Sequence, residues 1–301
     1  MQYIEKLNVE IDGCGALTVI ISSTIISCFK LLQYANLTVY IYGYMVKRPF
    51  VLSGGGARGF AHIGVLKAFE ERNVKPEVIS ATSAGAVVGA LAACGYTADE
   101  LKDMTVGSKF FKLFSRTLYK SLNLSTKPLT EFLDKNLRYK TFEKLPIPLH
   151  VTATNLITGV GQDFSSGDII PAVVAACAVP FVFSNTFINN IPYVDGGMSS
   201  NLPVEPVAHY KNIIGVYVNP LPDYSERASV SESIDRMIHL LILENVRKSI
   251  AKCSLLIEPP NLRNYRMFEE KNKQAIIDEG YNYTHDFLLQ NPDVLQQKIM
   301  I

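Results

Sequence analysis

The sequence predicts an α/β protein in three layers, α/β/α, with a mostly parallel central sheet covered by helices on both faces. Three observations predict it. From residue 48 onward, short apolar runs alternate with longer stretches of helical periodicity, the pattern left by strands joined through helical crossovers. Residues 45–301 hold no internal repeat, no low-complexity tract and no Pro/Gly/Ser-rich linker, so they read as a single domain. Hydrophobic residues make up 48% of the 301-residue chain, enough to build a sizeable core.

Strands are expected at 48–53 (RPFVLS), 77–82 (EVISAT), 148–155 (PLHVTATN), 191–194 (IPYV), 212–218 (NIIGVYV) and 254–259 (SLLIEP). Between the first two, Ile63, Leu66 and Phe69 recur at helical spacing, which makes a β-α-β unit. Further helical runs occupy 84–94, 168–178, 203–210, 230–250 and 268–289. Residues 156–167 read as a hairpin turn, a strand and a helix start capped by Ser166 or Gly167.

Residues 1–44 differ from the rest. Positions 13–46 carry one charge, Lys30, between uncharged runs of 17 and 16 residues, each near the lower limit of about 17 for spanning a bilayer. The segment before them is net acidic, contrary to a secretory signal. Three readings stay open: a membrane anchor, buried strands, and translated sequence upstream of a start at Met45, which runs directly into the first strand. Formal charge is +1, which offers no global electrostatic case for nucleic acid. Five cysteines are scattered without ligand or disulfide spacing, consistent with a reducing compartment and a cytoplasmic location.

Between the first strand and its helix stands GGGARG, residues 54–59. It satisfies G-x-G-x-x-G through Gly54, Gly56 and Gly59, in the strand–loop–helix context of a dinucleotide site. Such a site wants an acidic residue about 20 positions on, to hold the ribose. Residues 79–83 contain none. No G-K-[ST] follows either, so the loop is not a P-loop. What remains is a row of bare backbone N–H groups at a helix N-terminus, able to stabilise a developing oxyanion. In a parallel sheet the end of the next strand would bring Ser83, set among small residues in SATSAGA, close to that loop. A free hydroxyl is a weak nucleophile and needs a base. Asp195, at a strand end in YVDGG, is a candidate, although an Asp-Gly-Gly seen alone is more often a turn.

Taken together and in this order, GGGARGFAHIGVL, A-T-S-A-G and D-G-G resemble the patatin-like phospholipases, whose motifs are a Gly-rich oxyanion loop, G-x-S-x-G and D-G-[GA]. The resemblance covers about residues 48–220 and implies a patatin-like catalytic domain over 45–301. It implies a Ser-Asp dyad, with Ser83 as nucleophile and Asp195 as base, and an acyl-enzyme intermediate in the hydrolysis of fatty-acyl esters of phospholipids or lysophospholipids. It also implies an oxyanion hole from the N–H groups of Gly54, Gly55 and Gly56, with Arg58 positioning the loop or supporting developing charge. No metal or organic cofactor is called for. One departure stands out: this chain has Ala81 where the family pattern has glycine.

Two rivals remain. An α/β-hydrolase triad would add a histidine, His209, His239 or His285; His62 lies inside the first helix. A catalytically impaired lipid-binding protein is the other. Residues 104–130 contain no acidic residue from Met104 to Thr130, and Lys112, Arg116 and Lys120 form a helical stripe beside Phe110 and Phe114. This is either an amphipathic helix on the core or a contact with an anionic membrane surface. Replacing each histidine by alanine tests the triad, in which one replacement should cost about 10³-fold or more in kcat; a Ser-Asp dyad predicts no loss of that size.

Overall fold

The computed structural model describes residues 7–11, 17–21, 45–106, 125–180, 182–223, 230–267 and 272–295. Most of the basic and aromatic stripe, residues 107–124, lies outside them. The chain divides into two units, Met1–Val46 and Lys47–Ile301. In the first, β1 (Leu7–Ile11) and β2 (Leu17–Ile21) pair antiparallel with Val9 opposite Val19.

The second unit is built on one sheet. Its strands are β3 (Val46–Leu52), β4 (Val74–Ala81), β5 (Leu149–Asn155), β6 (Gly161–Phe164), β7 (Thr186–Ile188), β8 (Ile191–Val194), β9 (Ile214–Val216) and β10 (Leu255–Ile257). The order is β10-β9-β3-β4-β5-β8-β7, with β6 on β5. The pairs β10/β9, β9/β3 and β4/β5 are parallel, whereas β6, β8 and β7 join antiparallel. Helices are α1 (Ala61–Glu70), α2 (Ser83–Ala93), α3 (Ala98–Val106), α4 (Lys127–Asn136), α5 (Ile169–Ala176), α6 (Val230–Ile250) and α7 (Lys273–Gln290).

The strand period of two assigns the layers. Successive side chains point to opposite faces. Phe50 meets Phe69 of α1 edge-on at 5.2 Å, while its neighbour Val51 is buried in a cluster with Val78, Leu202, Val207 and Val246 of α6. Helices α1 and α6 therefore cover opposite faces. Ile79 and Ala81 lie on the side of α2, against Gly89, and the intervening Ser80 turns the other way, donating from its Oγ to the carbonyl of Pro203 at 2.5 Å.

Two local expectations fail for identifiable reasons. Residues 203–210 form only a 3₁₀ turn, Glu205–Val207; a helix starting at 203 would need the N–H that Pro206 lacks, whereas in the turn Pro206 stands in the first-turn position that tolerates it. α5 starts one residue after the expected caps, behind Asp168, because Gly167 sits in the left-handed region at φ 78° and its N–H donates to Glu143 instead. Strand β7 was not expected. It forms a hairpin with β8 across Asn189 and Asn190, both at positive φ, the geometry of a two-residue type I′ turn.

Small residues after β4 let α2 sit hard against the end of β3. A Cβ on Gly85 would lie 2.5 Å from the Ser53 carbonyl oxygen and 2.6 Å from that of Leu52. Both are backbone atoms that cannot swing aside. Gly85→Val should therefore destabilise the fold by about 3 kcal/mol or more, read as a lowered urea midpoint; a midpoint equal to wild type would contradict this packing.

Candidate active site

The site is assembled on one edge of β5. Backbone groups of alternate residues point to the same edge of a strand. On the even-numbered edge, the Pro148 carbonyl accepts from Ile79 N–H at 2.9 Å and Leu156 N–H donates to the Pro192 carbonyl at 3.0 Å. On the odd-numbered edge, Asn155 N–H donates to Val160. Strands β4 and β8 thus share one edge of β5, β4 opposite Leu149–Val151 and β8 opposite Thr154 and Asn155, while β6 takes the other. Running in opposite directions, β4 and β8 end facing each other. Ser83 follows the end of one strand and Asp195 the end of the other.

Ser83 Oγ donates to Asp195 Oδ2 at 2.6 Å. Both residues are buried. Ser83 holds φ at 51°, a left-handed conformation costing about 1–3 kcal/mol in a residue with a Cβ, and it begins α2, so the positive end of the helix dipole lies at its hydroxyl. Asp195 is fixed on every side. Its Oδ1 accepts from Gly197 N–H at 2.8 Å, its N–H donates to Ala178 at 2.9 Å, and its carbonyl accepts from Thr154 Oγ1 at 2.9 Å. Burial pushes its carboxyl up to about 6 against the two hydrogen bonds that favour the charged form. Gly196 is required here, since a Cβ would lie 2.0 Å from the Thr152 carbonyl oxygen.

A cavity of about 230 Å³ opens over the pair. Its walls are mostly apolar, including Phe60, Val87, Leu129, Ile238, Leu241 and Met267. Gly55 and Gly56 line it, and their N–H groups have no hydrogen-bond partner among the described residues. Gly54 stands apart from the expected trio: its N–H donates to the Asn201 carbonyl at 3.0 Å and it is not among the lining residues. Arg58 is also away from the cavity, 1% exposed, with Nε donating to the Tyr265 carbonyl at 2.7 Å and Nη1 to His239 Nε2 at 2.8 Å.

The histidines are engaged elsewhere. A guanidinium can only donate, so His239 Nε2 is the acceptor and carries no proton. His62 donates from Nε2 to the Ser53 carbonyl at 2.8 Å, and burial lowers its pKa to about 4, so it is neutral. His209 is exposed beside Tyr210, and His285 lies against Asp286 and Tyr281. Among the described residues no group of three His, Cys, Asp or Glu could hold a metal ion, and no helix is long and apolar enough to cross a membrane.

Sequence reasoning missed three asparagines. Asn245 of α6 accepts from Asn201 N–H and donates to the Gly197 carbonyl, both at 3.0 Å. Asn219 donates to the Gly54 carbonyl at 2.6 Å and to Asn201 Oδ1 at 3.0 Å. The network joins the glycine loop, the aspartate loop and α6. Of the three, only Asn201, four residues past D-G-G, had a local signal in the sequence.

Against known proteins, residues 50–208 match the model of the patatin-like phospholipase family. The chain belongs to that family. It is 24% identical over 274 residues to the lysophospholipase NTE1 of Kluyveromyces lactis, which covers 79% of this chain and 19% of that protein. With NTE1 of Saccharomyces cerevisiae it shares 30% over 275 residues, 79% of this chain and 16% of that protein. An NTE family protein of Mycobacterium tuberculosis is 31% identical over 163 residues, 52% of this chain and 44% of that one. The chain thus spans less than half the length of these relatives. Among solved structures, VipD from Legionella pneumophila superposes with a TM-score of 0.48 at 14% identity, over 94% of this chain and 70% of that one.

The alanine that replaces a family glycine in this patatin-like protein is accommodated by a glycine elsewhere. The Ala81 methyl lies in the space that a Cβ on Gly89 would enter, 3.3 Å away. Ala81→Gly should leave turnover equal or higher and cost about 1 kcal/mol of stability, read by urea titration; a marked fall in turnover would show that the site has adapted to alanine.

Proposed function

We propose that the chain is a lipid acyl hydrolase that cleaves fatty-acyl esters, with lysophospholipids and phospholipids as the substrate class, by a Ser-Asp dyad. The 2.6 Å hydrogen bond from Ser83 to a buried carboxylate carries the reading. Ser83 Oγ attacks the ester carbonyl carbon as its proton passes to Asp195 Oδ2. The oxyanion of the tetrahedral intermediate takes the N–H groups of Gly55 and Gly56. Collapse expels the alcohol, which recovers the proton from Asp195, and leaves Ser83 acylated. Water then attacks the acyl carbon, gives its proton to Asp195 and releases the fatty acid as the proton returns to Ser83. Arg58 acts by anchoring the loop. The names of the NTE1 relatives support the lysophospholipid class, and the apolar cavity suits an acyl chain.

A normal aspartate is a feeble base toward a serine, and the raised pKa of Asp195 narrows that gap while keeping the carboxylate ionised at neutral pH. Neither the α/β-hydrolase triad nor nucleotide binding has a comparable observation in its favour, since the partner of Ser83 is a carboxylate.

Hydrolysis of p-nitrophenyl butyrate and of lysophosphatidylcholine tests the proposal. Ser83→Ala and Asp195→Asn should each abolish turnover of both with the fold intact; near-normal rates in Asp195→Asn would exclude the dyad, and an inactive wild type would favour an impaired lipid-binding protein. Wild-type kcat/KM should rise with pH through about 6 and level off above it. Stability moves the opposite way, because a carboxyl whose folded pKa lies above its ordinary 3.8 favours the fold when protonated and loses that contribution as pH rises from 3.8 to about 6. Asp195→Asn should accordingly melt above wild type at pH 8 and lose that advantage at pH 4.

A further inference from the structure

Helix α6 carries a function that the dyad does not use. One stripe of it, Ile238, Leu241, Ile242 and Asn245, walls the cavity. Another, His239 and Val246, is buried toward the core. Between Met237 and Leu241 the outward side of the helix is apolar: Met237 is 61% exposed, Ile238 38%, Leu240 47% and Leu241 67%. Met198, from the aspartate loop, is 61% exposed and also lines the cavity. Ile238, Leu241 and Met198 belong to wall and surface at once, so they form the rim of the mouth, and the outer patch continues the cavity without a polar break.

We infer that this face of α6 docks onto the surface of a lipid bilayer, with Met237 and Leu240 entering the acyl region and the rim delivering a chain to Ser83. The inference rests on the acyl-hydrolase reading of the site. The size of the cavity selects a bilayer over other occupants. The cavity, at about 230 Å³, is small beside the ~300–1,000 Å³ that enclose most ligands, so a long-chain lipid cannot be taken in whole. Its remainder must stay in an apolar medium, and a protein seated on the same residues would plug the mouth. The residues that would enter the lipid carry no charge, and next along the helix Glu244 and Arg247 pair with each other at 3.3 Å. Docking should therefore work on zwitterionic lipid and withstand salt.

The helix is also tied to the chemistry. His239 receives Arg58 of the glycine loop, and Asn245 holds Gly197 and Asn201 beside the base. A surface pressing on the outer stripe thus bears on an element that holds both catalytic loops.

The sequence contains no tryptophan, so Leu240→Trp in the full chain gives a single reporter under excitation selective for tryptophan. With phosphatidylcholine vesicles at low and high salt, its emission should shift to the blue and be quenched by lipids brominated on the acyl chain. Leu289→Trp, at an exposed leucine of α7, should do neither. Met237→Glu combined with Leu240→Glu should cut turnover of vesicle-borne lysophosphatidylcholine at least tenfold and leave monomeric p-nitrophenyl butyrate turnover and the melting temperature unchanged. Unquenched emission at position 240, or equal turnover of vesicle-borne substrate, overturns the inference, and a blue shift that follows protein concentration without lipid assigns the face to a second copy of the chain. Ser83→Ala in the Leu240→Trp background separates the two proposals, since docking should survive even where hydrolysis is absent.

Discussion

Strands β4 and β8 converge along a single edge of β5, and the Ser83–Asp195 pair depends on that convergence. Each strand stops where the other begins to obstruct it, leaving Thr152 and Ala153 between them. The Thr152 carbonyl, deprived of a strand partner, accepts from Thr82 Oγ1 at 2.8 Å. This bond ties down the residue before Ser83. On the opposite side, Gly196 follows Asp195 into a space that admits no side chain. Serine and aspartate, 112 positions apart in the chain, meet because one strand supplies the hydrogen-bonding edge for both.

The polar groups around the pair are mostly neutral. Asn201, Asn219 and Asn245 hold the loops by amides, and the influences on Asp195 are burial and two hydrogen bonds, with no charged neighbour among them. A lysine or arginine at hydrogen-bonding distance would have drawn its pKa down and weakened it as a base. The buried guanidinium of Arg58 is directed to Tyr265 and His239 instead. Strain at Ser83 and the buried charge of Asp195 both act against stability, which is the usual condition of residues arranged for reaction.

Much of this was legible in the sequence. The alternation of strand-like and helical runs foretold the layered sheet because β3, β4 and β9 are each followed by a helix before the next strand, while β5 turns back into β6. Ser83 and Asp195 were legible because each sits in a short motif whose small residues serve close backbone contacts. The hairpin at Asn189 and Asn190 was overlooked, although two asparagines between TFI and IPYV are a turn signal. The separate standing of Gly54 could not be read, since it depends on which carbonyl lies opposite after folding. Asn219 and Asn245 were hidden for the same reason. An isolated asparagine at a strand end or on a helix carries no mark of the partner that the tertiary structure will bring to it.

The region that matches the family, residues 50–208, contains both Ser83 and Asp195 but lacks much of what holds them. Ala57 N–H donates to the Met267 carbonyl at 2.7 Å, Arg58 to Tyr265, and β9, inserted between β3 and β10, begins only at Ile214. A fragment ending at residue 208 would leave β3 with an open, apolar edge and the glycine loop without its anchors, a form suited to aggregation rather than turnover. Any excision, fusion or transplantation of this domain has to extend at least through Met267. The motifs mark Ser83 and Asp195, while residues beyond 208 determine whether the pair is assembled.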